Sequence, residues 1–507
     1  MEEKSIIHFE TLGCKLNQIE SESIARAFRD AGFCSEMTPY TAKTNQNADV
    51  SLCIVNTCTV TAKAEQKARR LIRLLLEKCP AAVVLVTGCY AEVEPVAIRS
   101  LDPRIAVLRG TQKDVLADLP KALERAVFES GKTKAGKWPF ESGKTDGARA
   151  LEQLLEELLD ARRASPEEAL KHSSFALCTD TFMQHSRASL KIQDGCNNNC
   201  AYCRIHIARG PAVSLSASDV LERVRLLEAA GQKEVVLTGV NLSQYAGSTQ
   251  NLKNDEILNL SGAQKNGILR PYIDFAQLLK LLLDNTKTIN FRISSLYPDR
   301  IDDEMCEAIK DERIRPHFHL SVQSGSNAVL HAMNRPYNAE DVVKAARRLR
   351  ELKPGCFLAC DVITGFPGET EEDFEQTLAM CREADFSWIH VFPFSARPGT
   401  AAYKMRPQVP QSISGDRAAR LTAFACAQKK AYLETFIGKE VTAIVEKRRT
   451  DELRAVTENF IHVRLHPLSD AASDSAHLGG KEVKILIEKV FESRSQTEDV
   501  EAEGKIL

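Results

Sequence analysis

Six short apolar runs, separated by helix-like segments such as Ser218–Ala230 and Glu340–Leu352, constrain what the middle of this chain can fold into. Strands that alternate with helices form parallel sheets whose faces the helices cover. Six units are too few for a closed eight-stranded barrel, so the pattern predicts a partial (β/α)6 barrel. The six runs are Ser189–Gln193, Glu234–Thr238, Phe291–Leu296, His317–Gln323, Phe357–Thr364 and Ile389–Phe394.

The segment before this barrel shows the same alternation on a smaller scale. Apolar runs at Ile6–Leu12, Val50–Val55 and Ala82–Thr87 are typical of buried strands, and Glu20–Ala31 and Lys63–Glu77 have helical spacing. We therefore predict a parallel α/β domain over residues 1–128 and the barrel domain over residues 184–431. Residues 129–183 contain a duplicated Phe-Glu-Ser-Gly-Lys-Thr and an amphipathic pattern, and they are expected to be an insertion and linker.

The last part of the chain changes to short strands. Runs at Glu440–Glu446, Arg454–Val456, Ile461–Arg464 and Lys481–Ile487 predict a small β-barrel over residues 432–496. The acidic residues 497–507 are expected to form an irregular tail. A polar stretch at 247–268 is expected to be a surface insertion within the barrel domain.

Composition narrows the functional classes. The chain of 507 residues has a formal net charge of −2, so any RNA contact must come from a local basic patch rather than an overall basic excess. The sequence shows no apolar run of about 18 residues, as a transmembrane helix requires, and no apolar signal-peptide core near the start. The cytoplasm is therefore the expected location, and no membrane partner is expected. Under those conditions 15 cysteines indicate metal ligands, reactive thiols or small core residues rather than disulfides.

Three of these cysteines, Cys196, Cys200 and Cys203, form a C-x3-C-x2-C motif directly after the first barrel strand. Thiolates at this spacing can bind three irons of a 4Fe–4S cluster. The fourth iron is then open to S-adenosylmethionine (SAM), which one electron cleaves to give a 5′-deoxyadenosyl radical. The alternatives are a zinc site with His206 as a fourth ligand and an incidental grouping of cysteines.

A second set, Cys14, Cys58 and Cys89, follows the three predicted N-terminal strands, one cysteine after each strand. Because ligands bind outside the carboxyl ends of parallel strands, these thiols are expected to converge on a second 4Fe–4S cluster. The alternative is that all three are buried for packing, since cysteine is often buried. Two open clusters suggest a division of labour, in which one generates a radical and the other presents sulfur to a carbon radical on the substrate.

These motifs resemble the methylthiotransferase family of radical SAM enzymes over almost the whole chain outside the two insertions. Further similar stretches are Asn-Thr-Cys-Thr-Val-Thr (56–61), Leu-Thr-Gly-Val-Asn (237–241), Arg-Ile-Ser-Ser (292–295), Ser-Val-Gln-Ser-Gly-Ser (321–326) and Asp-Val-Ile-Thr-Gly-Phe-Pro-Gly-Glu-Thr (361–370). The resemblance implies that the last domain is an RNA-binding β-barrel of the TRAM type. It also implies SAM contacts at Tyr202, Gly239, Ser294 and Gln323, for which packing or turn formation is the alternative.

The resemblance is strongest to the branch that acts on N6-threonylcarbamoyladenosine beside the anticodon of tRNA, at position 37. It implies a 2-methylthio product, two SAM molecules per reaction, an external electron donor and sulfur source, and no DNA partner. A branch acting on isopentenyladenosine usually has Gln where this chain has Lys15, and another branch modifies a ribosomal protein. A non-catalytic iron–sulfur or zinc protein that binds RNA is the alternative outside enzymes. The chain departs from the family at Arg204 and His206, where an apolar residue and a proline are usual, and His206 is expected at the surface.

Overall fold

The computed structural model describes residues 5–129, 138–140, 145–164, 175–178, 187–253, 256, 264–265, 268–446, 452–466, 478–491 and 500–507. The chain divides into two compact units. The first contains residues 1–179, 194–197 and 203–211, and the second contains residues 180–193, 198–202 and 212–507. Both copies of the duplicated hexapeptide fall largely outside the described residues, and so does about half of the polar stretch at 247–268.

A five-stranded parallel sheet forms the centre of the first unit. Its strands are β1 (Ile6–Thr11), β2 (Cys34–Glu36), β3 (Val50–Thr57), β4 (Val83–Gly88) and β5 (Ile105–Val107), in the order β2-β1-β3-β4-β5. Every residue of β3 and β4 is buried, as expected for parallel strands covered on both faces. The predicted parallel α/β domain is therefore confirmed.

The helices of the first unit connect these strands and cover the sheet. They are α1 (Lys15–Asp30), α2 (Ala62–Lys78), α3 (Cys89–Val93), α4 (Pro95–Arg99), α5 (Leu119–Glu129), α6 (Thr145–Ala164) and α7 (Ile205–Arg209), with a 3-10 helix at Gly110–Ala117.

Helix α6 contains the amphipathic segment that the sequence placed in the insertion and linker. It packs within the first unit rather than standing away from it, because Leu151 and Leu155 are buried. Arg162 fixes its far end through ion pairs of 2.6 Å to Asp114 and of 2.6 Å to Asp118.

The second unit contains the six predicted barrel strands, and the parallel pairing confirms a partial (β/α)6 barrel. The strands are β6 (Ala188–Lys191), β9 (Glu234–Thr238), β14 (Asn290–Ile293) continued by β15 (Ser295–Leu296), β16 (His317–Gln323), β17 (Phe357–Thr364) and β18 (Trp388–Pro393). They form two parallel sheets, in the orders β14-β9-β6 and β15-β16-β17-β18. Ser294 lies between β14 and β15, where the chain passes from the first sheet to the second.

Helices and short strands link the barrel strands. The helices are α8 (Ala217–Ala229), α9 (Phe275–Asn285), α10 (Asp303–Ile309), α11 (Asn327–Ala332), α12 (Ala339–Leu352), α13 (Glu371–Glu383), α14 (Ala401–Lys404) and α15 (Gln411–Glu434), with 3-10 turns at Leu242–Gln244 and Pro298–Arg300. The short strands are β7 (Gln193–Asp194), β8 (Val213–Ser214), β10 (Gly247–Ser248), β11 (Gln264–Lys265), β12 (Ile268–Leu269) and β13 (Tyr272–Ile273).

A closed five-stranded barrel forms the end of the second unit. Its strands are β19 (Glu440–Val445), β20 (Arg454–Thr457), β21 (His462–His466), β22 (Glu482–Val490) and β23 (Ala502–Ile506), in the order β19-β20-β21-β23-β22. The expected irregular tail is therefore wrong for residues 502–506. The inward positions of β23 carry small residues, and a Cβ on Gly504 would lie 2.4 Å from the Leu486 carbonyl oxygen, so β23 lacks the bulky apolar pattern that marks a strand.

Helix α15 runs the full length of barrel strand β17. Near its start, Ser414 donates a hydrogen bond of 2.9 Å to the carbonyl of Thr364, the last residue of β17. Near its end, Tyr432 donates one of 2.9 Å to the carbonyl of Gly355, just before β17 begins. Asn459 of the terminal barrel donates to the same Gly355 carbonyl at 2.8 Å. The terminal barrel therefore lies at the amino ends of the parallel strands.

A buried ion cluster ties these amino ends together. Glu234, the first residue of β9, accepts hydrogen bonds of 2.7 and 3.0 Å from Arg292 and one of 3.0 Å from Arg315. Burial alone would raise the pKa of Glu234, but the nearby guanidinium groups of Arg292, Arg187 and Arg315 outweigh it and hold the pKa at about 2. Glu234 is therefore ionised whenever the protein is folded near neutral pH.

We expect Glu234→Gln to lower the free energy of unfolding by about 3–5 kcal/mol, because it leaves buried arginines without their counter-charge. Denaturant titration monitored by circular dichroism measures the loss. In the wild type, the pKa falls from an ordinary 4.5 to about 2 on folding, so the carboxylate stabilises the fold fully above pH 4.5 and loses this effect as the pH drops toward 2.

Glu307→Gln is the matched control, because Glu307 is exposed on α10 and pairs only with the exposed Lys310. An equal loss of stability in the two variants would contradict a special role for the buried cluster.

Candidate functional site

In the first unit, three cysteines lie at the carboxyl ends of adjacent parallel strands. Cys14 is the N-cap of α1 just beyond β1, Cys58 directly follows β3, and Cys89 is the first residue of α3 directly after β4. Strands β1, β3 and β4 are neighbours in the sheet, so the three cysteines share one edge. This is the arrangement that the sequence predicted, and their role as cluster ligands stays a prediction.

Close packing brings the loops of Cys14 and Cys58 together. A Cβ on Gly13 would lie 2.8 Å from the Cβ of Cys58 and 3.2 Å from its Sγ, so only glycine allows this approach. Gly13 also has a φ of +110°, which L side chains rarely adopt. Burial, together with the nearby Cys89 and Cys14 sulfurs, raises the pKa of the Cys58 thiol to about 11, although a hydrogen bond with the Val60 backbone lowers it in part.

A buried arginine stands beside these three sulfurs. Arg209 of α7 donates 2.8 Å to Asp194 and 2.6 Å to the side-chain oxygen of Asn17, and it pairs with Glu20 at 3.3 Å. Asn17 in turn donates to the Leu12 carbonyl at 2.8 Å and to the Thr57 carbonyl at 3.1 Å, which are close to the turns carrying Cys14 and Cys58. Arg209 therefore supports both turns, and its charge offsets a small part of the rise in the pKa of Cys58.

These cysteines fit a cluster better than a single ion. Within the described ranges, no three His, Cys, Asp or Glu side chains come close enough together to hold one metal ion. A cubane places one thiolate on each iron, so its cysteine ligands do not share an ion. The cysteines at the strand ends, together with the cation of Arg209, provide the donor set and the positive charge that such an anionic group requires.

The C-x3-C-x2-C motif occupies a loop without helix or strand. Gly195 opens the loop with a φ of +67°, and a Cβ there would lie 1.9 Å from the Pro211 carbonyl oxygen. At its other end, the backbone N–H of Ile205 donates 3.3 Å to the Sγ of Cys203. Hydrogen bonds to sulfur suit a thiolate ligand, because they stabilise its negative charge.

The family departure at Arg204 has a structural explanation. Arg204 is buried and pairs with Glu65 at 3.3 Å and with Glu94 at 3.3 Å, so its charge is used within the first unit. His206 is only partly exposed, and its Nδ1 atom is buried with no hydrogen-bond partner among the described residues. His206 therefore lies at the surface with one side of its ring buried, because helix α7 is packed within the first unit.

In the second unit, Cys200 is held by the segment that follows α11. Its Sγ accepts a hydrogen bond of 3.3 Å from Nη1 of Arg335. The same Nη1 lies 3.4 Å from the hydroxyl of Tyr202. Arg335 was not among the residues that the sequence singled out, and its position just before Pro336 in a loop gave no signal of this contact.

The other residues expected to contact SAM lie where the barrel strands end. Gly239 follows β9, and a Cβ on it would be 2.8 Å from Gln193, so this position requires glycine. Ser294 lies between β14 and β15, and its buried Oγ has no hydrogen-bond partner within the described residues. Gln323 ends β16 with a φ of +76°, a strain that non-glycine residues accept mainly at functional positions. Their contact with SAM stays a prediction.

A polar layer that was not predicted from the sequence lies on four neighbouring barrel strands. His319 of β16 contacts Ser295 Oγ at 3.1 Å and Asp361 Oδ1 at 3.3 Å, and its ring centroid lies 5.5 Å from that of His390. Burial and the His319 charge lower the pKa of His390 to about 4. His319 and Asp361 alternate with buried apolar residues along their strands, and this period of two is the signal that could have revealed them.

The comparisons with known proteins agree with this geometry. The model of the radical SAM superfamily matches residues 190–381, and that of uncharacterized protein family UPF0004 matches residues 6–110. The chain is 43% identical over 506 residues to the threonylcarbamoyladenosine tRNA methylthiotransferase MtaB of Treponema pallidum (strain Nichols), covering 93% of this chain and 97% of that protein. It is 32% identical over 489 residues to the protein of the same name from Bacillus subtilis (strain 168), covering 95% and 94%.

A relative with a different printed substrate is also similar. The chain is 30% identical over 444 residues to the tRNA-2-methylthio-N(6)-dimethylallyladenosine synthase of Syntrophotalea carbinolica, covering 87% of this chain and 88% of that protein. The barrel, its cysteine loop and these matches define a radical SAM enzyme, a class that binds a 4Fe–4S cluster and SAM. Within that class, the chain belongs to the methylthiotransferase family that includes the MtaB proteins.

None of the helices that the structure describes is long and apolar enough to cross a membrane.

We expect Gly13→Ala to lower the iron bound at Cys14, Cys58 and Cys89, because the new methyl group would displace Cys58. Anaerobic reconstitution followed by iron and sulfide analysis measures the change. Gly355→Ala controls for backbone strain, since Gly355 also has a positive φ (+75°) but open space around its Cβ position. Equal iron loss in both variants would mean that backbone strain, rather than the contact with Cys58, causes the effect.

Proposed function

We propose that this chain converts N6-threonylcarbamoyladenosine at position 37 of tRNA, beside the anticodon, to its 2-methylthio derivative. The observation that carries this proposal is the 43% identity to an MtaB protein over 93% of the chain. The two matching family models, over residues 6–110 and 190–381, span the two sets of cysteines. Sulfur must be attached to C2 of adenine, an unactivated C–H carbon, and this requires radical chemistry rather than acid–base catalysis by side chains.

Cys196, Cys200 and Cys203 are assigned as the ligands of the SAM-binding 4Fe–4S cluster. Such a cluster supplies the electron that cleaves SAM to methionine and a 5′-deoxyadenosyl radical. The residues of the chain have separate tasks around it. Hydrogen bonds to the sulfurs of Cys200 and Cys203 stabilise their thiolate forms. Tyr202, Gly239, Ser294 and Gln323 are proposed to position SAM at the carboxyl ends of the barrel strands.

Cys14, Cys58 and Cys89 are proposed to hold a second 4Fe–4S cluster that supplies the transferred sulfur. The support is their position on one sheet edge and the contact of Gly13 with Cys58. Arg209 compensates the negative charge of this site and, through Asn17, holds the turns of Cys14 and Cys58 in place. Glu20 and Asp194 fix Arg209 in turn through ion pairs of 3.3 and 2.8 Å.

The proposed domains follow from these roles. Residues 1–128 carry the auxiliary cluster, residues 184–431 carry SAM chemistry, and residues 432–496 with β23 form a TRAM-type barrel that binds RNA. The partners are tRNA, an electron donor and a sulfur source, with no role for DNA or a membrane. Because tRNA is the substrate, we place the activity in the cytoplasm.

Replacing single cysteines separates radical formation from sulfur transfer. Cys200→Ala is expected to abolish both 5′-deoxyadenosine formation and tRNA methylthiolation, since no radical can form. Cys58→Ala is expected to retain 5′-deoxyadenosine formation but lose methylthiolation. Liquid chromatography with mass spectrometry measures both products. Cys34→Ala is the matched control, because Cys34 is an exposed cysteine in the same unit and should leave both activities unchanged. Normal methylthiolation by Cys58→Ala would refute the auxiliary assignment.

Substrate choice is tested with tRNA that carries one modification at a time. The reconstituted enzyme should methylthiolate tRNA bearing N6-threonylcarbamoyladenosine and leave tRNA bearing isopentenyladenosine unchanged. The reverse preference would assign the chain to the activity printed for the Syntrophotalea relative. A product on neither tRNA, with methylthiolation of a ribosomal protein instead, would assign it to the third branch.

A further inference from the structure

The segment Met333–Arg335 forms hydrogen bonds to residues 199–201 of the cysteine loop. The Met333 carbonyl accepts a hydrogen bond of 3.0 Å from the N–H of Ala201. The Asn334 side chain donates one of 2.9 Å to the carbonyl of Asn199. Arg335 then donates one of 3.3 Å to the Sγ of Cys200. Three adjacent residues therefore contact three adjacent residues of the loop. The middle loop residue, Cys200, is contacted through its sulfur by the cation of Arg335.

Arg335 is held rigidly in this position. Its guanidinium carbon lies 4.4 Å from the ring centre of Tyr297 and 4.8 Å from that of Tyr337, beside two rings that are nearly perpendicular to each other. Nη2 donates 3.0 Å to the Ser321 carbonyl, and Nε donates 2.7 Å to the Tyr337 hydroxyl. Nη1 donates 3.0 Å to the Tyr297 hydroxyl and 3.3 Å to the Sγ of Cys200, so each nitrogen of the guanidinium group has a partner.

No carboxylate among the described residues is in direct contact with Arg335, although Asp299 and Asp361 lie close enough for its charge to lower their pKa values. Across the described part of the chain, no Asp or Glu oxygen forms an ion pair with it, and its polar neighbours are tyrosine hydroxyls, a backbone carbonyl and the Cys200 sulfur. A partly buried cation is unfavourable without an anion nearby. A cysteine thiolate that binds an iron–sulfur cluster is the anion that this position accommodates.

We propose that Arg335 sets the reduction potential of the SAM-binding cluster by donating a charged hydrogen bond to its ligand Cys200. The inference rests on the proposed assignment of Cys200 as a ligand of that cluster. Adding an electron makes a cluster more negative, so a fixed cation and a hydrogen bond to a ligand sulfur stabilise the reduced state more than the oxidised one. Arg335 therefore raises the potential and makes the cluster easier to reduce. It is a positioning residue, since it acts through Cys200.

The test uses the full chain with Cys14, Cys58 and Cys89 changed to Ala, so that one cluster remains. In this background, Arg335→Met removes the charge. Arg335→Lys keeps a charge but cannot make the several simultaneous hydrogen bonds of a planar guanidinium group. An EPR-monitored redox titration without SAM gives the midpoint potential. Arg335→Met should make it more negative by at least about 59 mV, the equivalent of a tenfold change for a one-electron couple. Arg335→Lys should fall between Arg335→Met and the wild type.

Arg348→Met is the matched control. Arg348 lies on α12, close to Arg335 in sequence, but its partners are the Ile301 carbonyl and Asp303, so the potential should not change. A second readout is 5′-deoxyadenosine formation with two chemical reductants. The Arg335→Met variant should lose activity with dithionite and regain it with the stronger reductant titanium(III) citrate, which a purely structural defect would not allow.

Each outcome decides the proposal. A wild-type potential in whichever Arg335 variants hold the cluster would overturn it. Loss of cluster iron from Arg335→Lys would also overturn it, because Arg335 would then be a structural support of the loop. If the Arg335-intact background binds no iron, or keeps its iron after Cys200→Ala, the cluster assignment itself fails. If it binds four irons that depend on Cys200 and only the potential is insensitive, the assignment stands and this inference alone fails.

Discussion

The parallel direction of neighbouring strands is the constraint on which the functional parts of this molecule depend. In each unit, the carboxyl ends of the strands share one edge, and the turns that leave this edge are short. Cysteines that are 44 and 31 residues apart in sequence, at Cys14, Cys58 and Cys89, therefore lie together. The same direction places Gly239, Ser294 and Gln323 at one end of the barrel. The side chains of β3 and β4 are buried on both faces of the sheet, and their close packing maintains this alignment.

Repeating patterns made most of the fold predictable from sequence. Strands such as Glu234–Thr238 and Phe357–Thr364 coincide with their predicted ends, because buried parallel strands are continuous apolar runs with clear limits. Strand β23 was missed, since Ala502 and Gly504 fill the terminal barrel with small residues, and closure of the barrel rather than local propensity places them there. Its hydrogen-bonding partners are distant in sequence, so the local pattern does not contain this information.

The cysteine sites were predictable because their chemistry requires one residue type at defined places. The residues that support them were less predictable. Arg335 depends on contacts across the barrel and has no neighbour in sequence that indicates its role, whereas the only local signal of His319 is its alternation with buried apolar residues. Arg204 illustrates the same limit, because its departure from the family pattern acquires a meaning only when Glu65 and Glu94 are seen beside it. Net charge was also uninformative, since the important charges are single buried groups.

The length of helix α15 corresponds to the distance between the two ends of the barrel strands in the second unit. The helix has 24 residues, which at the usual rise corresponds to about 36 Å. One end of the helix meets the edge of the barrel where β17 finishes, and the other meets the edge where β17 begins and the terminal barrel is attached. A ligand that contacts both the terminal barrel and the carboxyl ends of the barrel strands must span that distance. A free nucleoside is too small to reach both ends of this helix, whereas a folded polynucleotide is long enough.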